Sequence, residues 1–309
     1  MKQGRPPEHG PPFDIMMAEI DCKLANEGID IPSRPMLAIR EVAVKYGIPI
    51  PIAAPQIRLP PELQENVALS EAIHRWYTEN YGDRLKTNPC PGRMVVSVDG
   101  DIYELRVPRI LGSVNFVLTR AWLANPGVGR GPVICNIVQL LEELTPSKAA
   151  RLSDSALATI EKAFQTALPA AYTLESTKHR LMSIARGDVE VAVNNLMARG
   201  GRYGESKWAS LQAAEKVLKA AIDLGGGKLK FTHELTELTQ ILADSGLVFD
   251  AHAQVAAIQC KPAIRYGDEL CSRDEALSAH QASLELVNIL REAGAKFAGG
   301  VGRSKSPKS

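Results

Sequence analysis

The sequence of 309 residues is long enough for two domains of ordinary size, and its composition, with 45% hydrophobic and 23% charged residues, is that of a folded protein. A net charge of +1 excludes a strong overall attraction to nucleic acids or anionic membranes, so binding of either kind needs a local patch. The five cysteines are scattered, with no Cys-x-x-Cys or Cys/His cluster. They indicate neither a zinc site nor a disulfide framework, and we expect no cofactor.

The amino-terminal stretch MKQGRPPEHGPP has no apolar segment of the kind that a secretory signal contains. Residues 1–12 are rich in proline and glycine and are predicted to be disordered. The longest apolar run, LRVPRILGSVNFVLTRAWL, contains three arginines, so no membrane-spanning segment is predicted. We therefore expect a cytoplasmic protein with no membrane partner.

Residues 13–173 are predicted to form a mixed α+β domain. Helices are expected in FDIMMAEIDCKLANEG, in MLAIREVAVKYG and in PELQENVALSEAIHRWYTENYG, each ended by a glycine. The segment IPIPIAAPQIRLPP, between the second and third of these helices, contains five prolines. It is expected to run extended, because proline has no amide hydrogen and restricts the residue before it.

A β-hairpin is the clearest element of this domain. MVVSVDGDIYELRV places Asp99 and Gly100 between two β-branched runs, a pattern typical of a two-residue hairpin turn. A third strand is expected in SVNFVLTRAWL, and helices in VICNIVQLLEEL and SALATIEKAFQTAL. The glycine-rich stretches at 125–132 and 224–230 lack the Lys-Ser/Thr and the following helix of a phosphate-binding loop, so we interpret them as a loop and a helix end.

From residue 174 to 296 the pattern becomes helical throughout. Five amphipathic segments follow one another with short linkers, which predicts an antiparallel helical bundle. Asp250 and Ser272 are expected to cap helix starts, as is Thr232, and Gly225 and Gly294 are expected to end helices. The tail 297–309 is basic, rich in small residues and expected to be flexible. The predicted fold is an α+β domain followed by an all-α antiparallel bundle.

The polar residues of the second bundle segment follow a recognisable pattern. Trp208 is followed by Gln212, Ala213, Glu215, Lys216, Leu218 and Lys219. A Thr-His-x-Leu motif comes next, at residues 232–235, and Arg265-Tyr266 precedes the last helix. In this order the three motifs resemble the HEPN domain, the sacsin-type helical bundle, over about residues 175–295. That family has a proline after the Arg-Tyr pair, where this sequence has Gly267. The region before it resembles no family.

The resemblance implies a dimeric module that binds a nucleotide or another anionic ligand and that serves the N-terminal domain as a sensor or assembly device. On this interpretation the ligand-binding residues are Lys219, His233, Arg265 and Tyr266. Another interpretation stays open, because Glu215 and Lys219 are four residues apart and can form a surface ion pair. In that case His233 bonds a neighbouring backbone group.

A second class of function is also consistent with the resemblance. Many HEPN relatives resemble metal-independent ribonucleases of toxin–antitoxin and defence systems, with an Arg-x(4–6)-His motif. Here Arg273, Asp274 and His280 match it. The histidine would act as a base and the arginine would hold the phosphate. His280, however, lies on the apolar stripe with Leu277 and Leu284, where a core role is the alternative.

The last helix also predicts how the chain assembles. Its apolar stripe runs from Leu277 to Leu290 beside small residues, a pattern that favours close packing against a second copy. We therefore expect a homodimer through the bundle. The expected ligand is a nucleotide or RNA, and a partner protein is compatible with the same assembly.

Overall fold

The computed structural model describes residues 5–51, 61–64, 66–86, 90–110, 112–124 and 133–298. The proline-rich stretch before residue 61, the glycine-rich stretch at 125–132 and most of the tail therefore lie outside the described residues. Contacts between Cα atoms divide the chain into two compact units, Met1–Asn88 and Pro89–Ser309, and each is considered by itself.

The first unit is helical. Its helices are α1 (Gly10–Asn26), α2 (Arg34–Tyr46), the short α3 (Pro61–Gln64) and α4 (Val67–Tyr81). α1 starts within the stretch expected to be disordered, because Pro11 and Pro12 occupy its first turn, where an amide hydrogen is not needed. One apolar core joins α1, α2 and α4, and its largest buried members are Met17, Ile39, Leu69, Ile73 and Tyr77.

The predicted hairpin opens the second unit. Strands β1 (Gly92–Val98) and β2 (Asp101–Val107) are antiparallel, with Val98 opposite Asp101. Asp99 and Gly100 both have positive φ angles, 49° and 89°, as a two-residue turn of this kind requires. Gly92 packs against the later helix Asp154–Ser176, where an added Cβ atom would lie 2.4 Å from the Cβ of Ala171.

The segment after the hairpin differs from the prediction. The third strand is present as β3 (Val114–Val117), but it pairs in parallel with β4 (Val133–Asn136), where a helix was expected. A single 3₁₀ turn follows from Ile137 to Leu140. The helix prediction was wrong because VICNIVQL has apolar residues at helical spacing, and its pairing with β3 outweighs that local pattern.

Eight α-helices complete the described part of the second unit. They are α5 (Pro146–Ala149), α6 (Asp154–Ser176), α7 (Arg180–Met197), α8 (Tyr203–Gly225), α9 (Leu235–Asp244), α10 (His252–Ile258), α11 (Ala263–Tyr266) and α12 (Arg273–Glu292). Among the described residues, no helix is long and apolar enough to cross a membrane. The α+β arrangement followed by a helical bundle is therefore confirmed.

The hairpin and α6 share one apolar core with the bundle helices. Met94 of β1, Ile160 of α6 and Leu218 of α8 belong to this core, and all three are almost fully buried. The compact unit therefore starts well before residue 174. The domain boundary at 173–174 stays a prediction about which fragment folds alone.

The caps of the bundle helices agree with the sequence in part. Ser272 caps α12 in a reciprocal capping box with Glu275, as expected. Thr232 was expected to cap α9, but its hydroxyl accepts the amide of Glu234, one residue before the helix. At the end of α8 the left-handed residue is Gly226, so Gly225 is the last helical residue.

The apolar stripe of α12 is covered within the chain. α12 packs against α6, α8, α10 and β1. Its buried residues occupy most of its circumference; they are Ala276, Ala279, His280, Ala282, Ser283, Leu284, Leu286, Val287 and Leu290. This stripe therefore does not offer the self-association surface that the sequence suggested, because its apolar side chains already have partners in the same chain.

Candidate functional site

Glu215 is the centre of the polar cluster on α8. Its side chain is almost fully buried, and its two carboxylate oxygens have different partners. Lys219 Nζ lies 2.7 Å from Oε1, and His233 Nδ1 lies 2.8 Å from Oε2. Burial disfavours the charged carboxylate, but the hydrogen bonds from Lys219 and His233 outweigh it and lower the pKa of Glu215. The predicted Glu215–Lys219 pair is therefore present, and it is more buried than a surface pair.

Lys216 is paired in the same way, on the side of the helix that faces α7. Its Nζ lies 2.7 Å from Oδ2 of Asp188, and it also donates to the side-chain oxygen of Gln212 at 3.2 Å. Burial raises the pKa of Asp188, and the Lys216 ammonium opposes this shift. All four polar residues of the α8 motif are thus bonded to one another or to a neighbouring helix.

This pairing changes the interpretation of Lys219 and His233. The structure brings them together, but through Glu215, whose negative charge offsets the lysine. His233 remains 65% exposed, and the Lys219 ammonium also lies 5.9 Å from the ring centre of Phe231, an aromatic side chain in full contact with solvent. The two predicted ligand residues therefore form a neutralised cluster with little positive charge to spare for an anion.

Arg265 and Tyr266 lie at the opposite end of α8. They belong to α11, and the Arg265 guanidinium lies 5.8 Å from the ring centre of Tyr266. Trp208 and Lys219 are eleven residues apart on α8, which separates the two ends of the motif by about 16 Å. The structure thus divides the predicted ligand residues into two pairs.

Arg202 is a site residue that sequence reasoning missed. It immediately precedes α8, and it lines two cavities together with Arg265 and Glu205. Within the part of the chain that the structure describes, neither Arg202 nor Arg265 makes a salt bridge to a carboxylate. The sequence carried one signal for it, the run Gly200-Gly201-Arg202 before a long helix, which is where anion-binding backbone often occurs.

The larger cavity, of about 520 Å³, lies between α7 and the first half of α8. Its aromatic wall is Trp208, and its polar lining includes Asp188, Asn195 and Gln212. The smaller cavity, of about 290 Å³, is lined by Tyr203 and Tyr266 as well as by the segment before α12. Arg202, Glu205 and Arg265 line both cavities, and we call these three side chains the shared wall.

Backbone packing sets the distance between the two halves of the shared wall. An added Cβ atom on Gly204 would lie 2.2 Å from the carbonyl oxygen of Ile264. Only glycine therefore permits α8 to approach α11 this closely. α8 also starts without a side chain that caps it, so the positive end of its helix dipole adds to the charge of the arginines.

Arg273 and Asp274 lie at the exposed start of α12. Arg273 donates from Nη1 to the carbonyl oxygen of Gly100 at 3.2 Å, and its Nε lies 3.5 Å from Asp274. His280, in contrast, has no exposed surface. The structure therefore does not bring Arg273 and His280 to a common surface.

His280 joins α12 to the hairpin. Its Nε2 accepts a hydrogen bond from the amide of Val95 at 3.2 Å, and its Nδ1 has no partner within the described residues. Burial, with a smaller contribution from the Arg93 guanidinium, lowers the pKa of His280 to about 4. At neutral pH the ring is therefore uncharged and held in the core, as the alternative interpretation of this residue expected.

Arg93 is the main ionic contact around this junction. Its guanidinium bonds Glu104 of β2, and its Nη1 lies 2.6 Å from Glu190 of α7. The hydrogen bond with Glu104 raises the pKa of Arg93, which stays charged at all accessible pH values. Within the described residues, no group of three or more His, Cys, Asp or Glu side chains is placed to hold a metal ion.

Comparison with known families agrees with the bundle and with its motifs. Residues 178–293 match the family model described as HEPN domain, which confirms the resemblance over the C-terminal third of the chain. This region, from α7 to α12, is a HEPN domain. The region before it matches no family model. No curated protein and no solved structure gives a significant match to the chain.

Proposed function

We propose that the HEPN domain is a non-catalytic module that binds a phosphate-bearing ligand, such as a nucleotide, at the shared wall. The observation that carries this proposal is the pair Arg202 and Arg265, which face two cavities without a carboxylate partner in the described structure. HEPN domains are associated with nucleotide-related roles and with ribonucleases.

Guanidinium groups suit this role because they stay charged and bind phosphate oxygens through two parallel hydrogen bonds. The other cations of the motif are less available, since Lys219 is held by the buried Glu215 and Lys216 by the half-buried Asp188. We therefore assign ligand binding to Arg265 and Tyr266, together with Arg202 and Trp208. His233, at the far end of α8, is left with a supporting role.

Calorimetric titration of the full chain with adenosine monophosphate tests the proposal. We expect binding that weakens as salt rises, because the contact is between charges. Arg265→Ala should lower the affinity by at least tenfold, since it removes a charge-assisted contact. Arg151→Ala is the matched control, an exposed arginine far from α8 in sequence. Equal loss in both variants, or unchanged binding in Arg265→Ala, would remove the proposal.

A homodimer through the bundle belongs to the same proposal, but its surface must differ from the stripe on α12. Ile184 and Val191 are exposed apolar side chains seven residues apart on α7, and Gly187 between them has open space where a side chain would be. Because residues at this spacing share a helix face, α7 is the surface we favour for a second copy. A role as an assembly device in the cytoplasm would follow.

The alternative function is a metal-independent ribonuclease that uses Arg273 and His280. It requires His280 to reach solvent and to act as a base, whereas its ring is buried and bonded to Val95. The test is cleavage of labelled single-stranded RNA with metal chelated. Activity lost in both folded variants, Arg273→Ala and His280→Gln, would establish the nuclease; no cleavage would leave the binding module.

A further inference from the structure

The two cavities that meet at the shared wall differ in a way that restricts the ligand. The shared wall carries two positive charges, from Arg202 and Arg265, against the one carboxylate of Glu205. The smaller cavity adds a second carboxylate, Glu269, and the larger one adds Asp188, whose charge Lys216 already offsets. A chain of phosphates would approach Glu269 in the smaller cavity and would meet no further cation in the described lining of the larger one. The charges therefore favour one phosphate at the wall, with uncharged groups on both sides.

Each cavity also offers a surface for a flat group. Trp208 is half-buried in the lining of the larger cavity, and Tyr266, which is 72% exposed, lines the smaller one. Nucleobases stack on such side chains irrespective of their identity. Each cavity therefore has one aromatic side chain, and the two arginines line both cavities, as the linking phosphate of a dinucleotide is shared by its two nucleosides.

The remaining polar groups of the two cavities are suited to hydrogen bonds with the sugars and the base edges of such a dinucleotide. Asn195 and Gln212 line the larger cavity and present amide groups, which both donate and accept hydrogen bonds. Glu205, on the shared wall, repels phosphate but accepts hydrogen bonds from ribose hydroxyls. The larger cavity lies within the usual size range of small-molecule sites and the smaller one just below it, so each can hold one nucleoside.

We infer that the site binds a phosphodiester with a nucleoside on each side, the linking phosphate on Arg202 and Arg265 and one base in each cavity. This inference rests on the proposed function and narrows it from any phosphate-bearing ligand to a dinucleotide unit. Such a unit occurs in a free dinucleotide and in a single-stranded nucleic acid.

The test compares two ligands of equal charge. Adenylyl-adenosine has two bases and one phosphodiester, and the methyl ester of adenosine monophosphate has one base and one phosphodiester. We expect the full chain to bind the first at least about fivefold more tightly in a calorimetric titration, since a second stacked base contributes about 1 kcal/mol or more.

Variants then locate the second base. Tyr266→Ala should reduce the preference for adenylyl-adenosine to less than threefold, because one of the two bases loses its stacking surface. The matched control is Phe231→Ala, which removes another exposed aromatic side chain outside both cavities and should keep the preference. Melting curves of both variants should match the wild type, because both side chains are largely exposed.

The outcomes separate this inference from the proposed function. Equal affinity for the two ligands, or a Tyr266→Ala effect of equal size on both, would overturn the inference, whereas binding of adenosine monophosphate would still support the module. No binding of adenosine monophosphate or of either test ligand would overturn both. A single-stranded RNA decamer that competes with adenylyl-adenosine would indicate a nucleic-acid source. Failure of the decamer to compete would indicate a free dinucleotide, and either result supports the dinucleotide unit.

Discussion

Acidification from pH 7 to pH 4 should destabilise the second unit through one buried side chain, His280. In the folded chain its pKa is lowered from 6.5 to about 4, because burial disfavours the charged ring and the nearby Arg93 guanidinium repels it. The unfolded chain therefore binds a proton between these two values and the folded chain does not. Stability from this group is fully present above pH 6.5 and is lost as the pH falls towards 4.

The size of the effect follows from the shift. Each pKa unit corresponds to 1.36 kcal/mol, so a depression from 6.5 to about 4 gives about 3 kcal/mol between pH 7 and pH 4. His280→Gln is the informative variant, because a glutamine oxygen can accept the amide hydrogen of Val95 but does not titrate. We expect its free energy of unfolding to lose about 3 kcal/mol less than the wild type over this range.

Urea unfolding followed by circular dichroism at pH 4, 5, 6 and 7 measures the difference. Carboxylates titrate in both proteins, so subtraction of the two profiles isolates His280. The control is His252→Gln, which changes an exposed histidine and should retain the wild-type profile. Parallel profiles of wild type and His280→Gln would refute the assignment of His280 to the core.

Three further outcomes are expected. A fragment of residues 90–298 should melt at a higher temperature than one of residues 175–295, which lacks α6 and β1; equal melting temperatures would support the shorter domain. Glu215→Gln should lower the free energy of unfolding at pH 7 by about 2 kcal/mol in urea titrations, since Lys219 loses its buried partner; a change below about 0.5 kcal/mol would contradict this. Ile184→Asp should convert a dimer to a monomer in sedimentation, whereas Ser183→Asp, at the preceding position of α7, should not.

Local patterns account for what the sequence predicted well. The hairpin was predictable because its turn depends on two adjacent residues, Asp99 and Gly100, whose conformation needs no distant partner. The capping box of α12 was predictable for the same reason. β4 was not, because its strand character comes from pairing with β3 and its apolar spacing resembles that of a helix.

The candidate site was predictable only in part. Arg265 followed from a motif, but its partnership with Arg202 depends on the close approach of α8 and α11 at Gly204, which no spacing in the sequence reveals. The surroundings of Lys219 were predictable only in part, for a similar reason. Its pairing with Glu215 was foreseen, but the burial that makes Glu215 a strong partner depends on tertiary packing.

The bond between Val95 and His280 has a consequence for the order in which the chain is made. The two residues are 185 positions apart, and ribosomes add about 5–20 residues per second, so about 10–40 s pass between the synthesis of the hairpin and that of α12. During that time α12 has not been synthesised, and the face of β1 that it later covers lacks this packing partner. The nascent chain therefore exposes apolar surface that a chaperone can bind, and α12, made after the hairpin by this interval, is the element that ends the exposure.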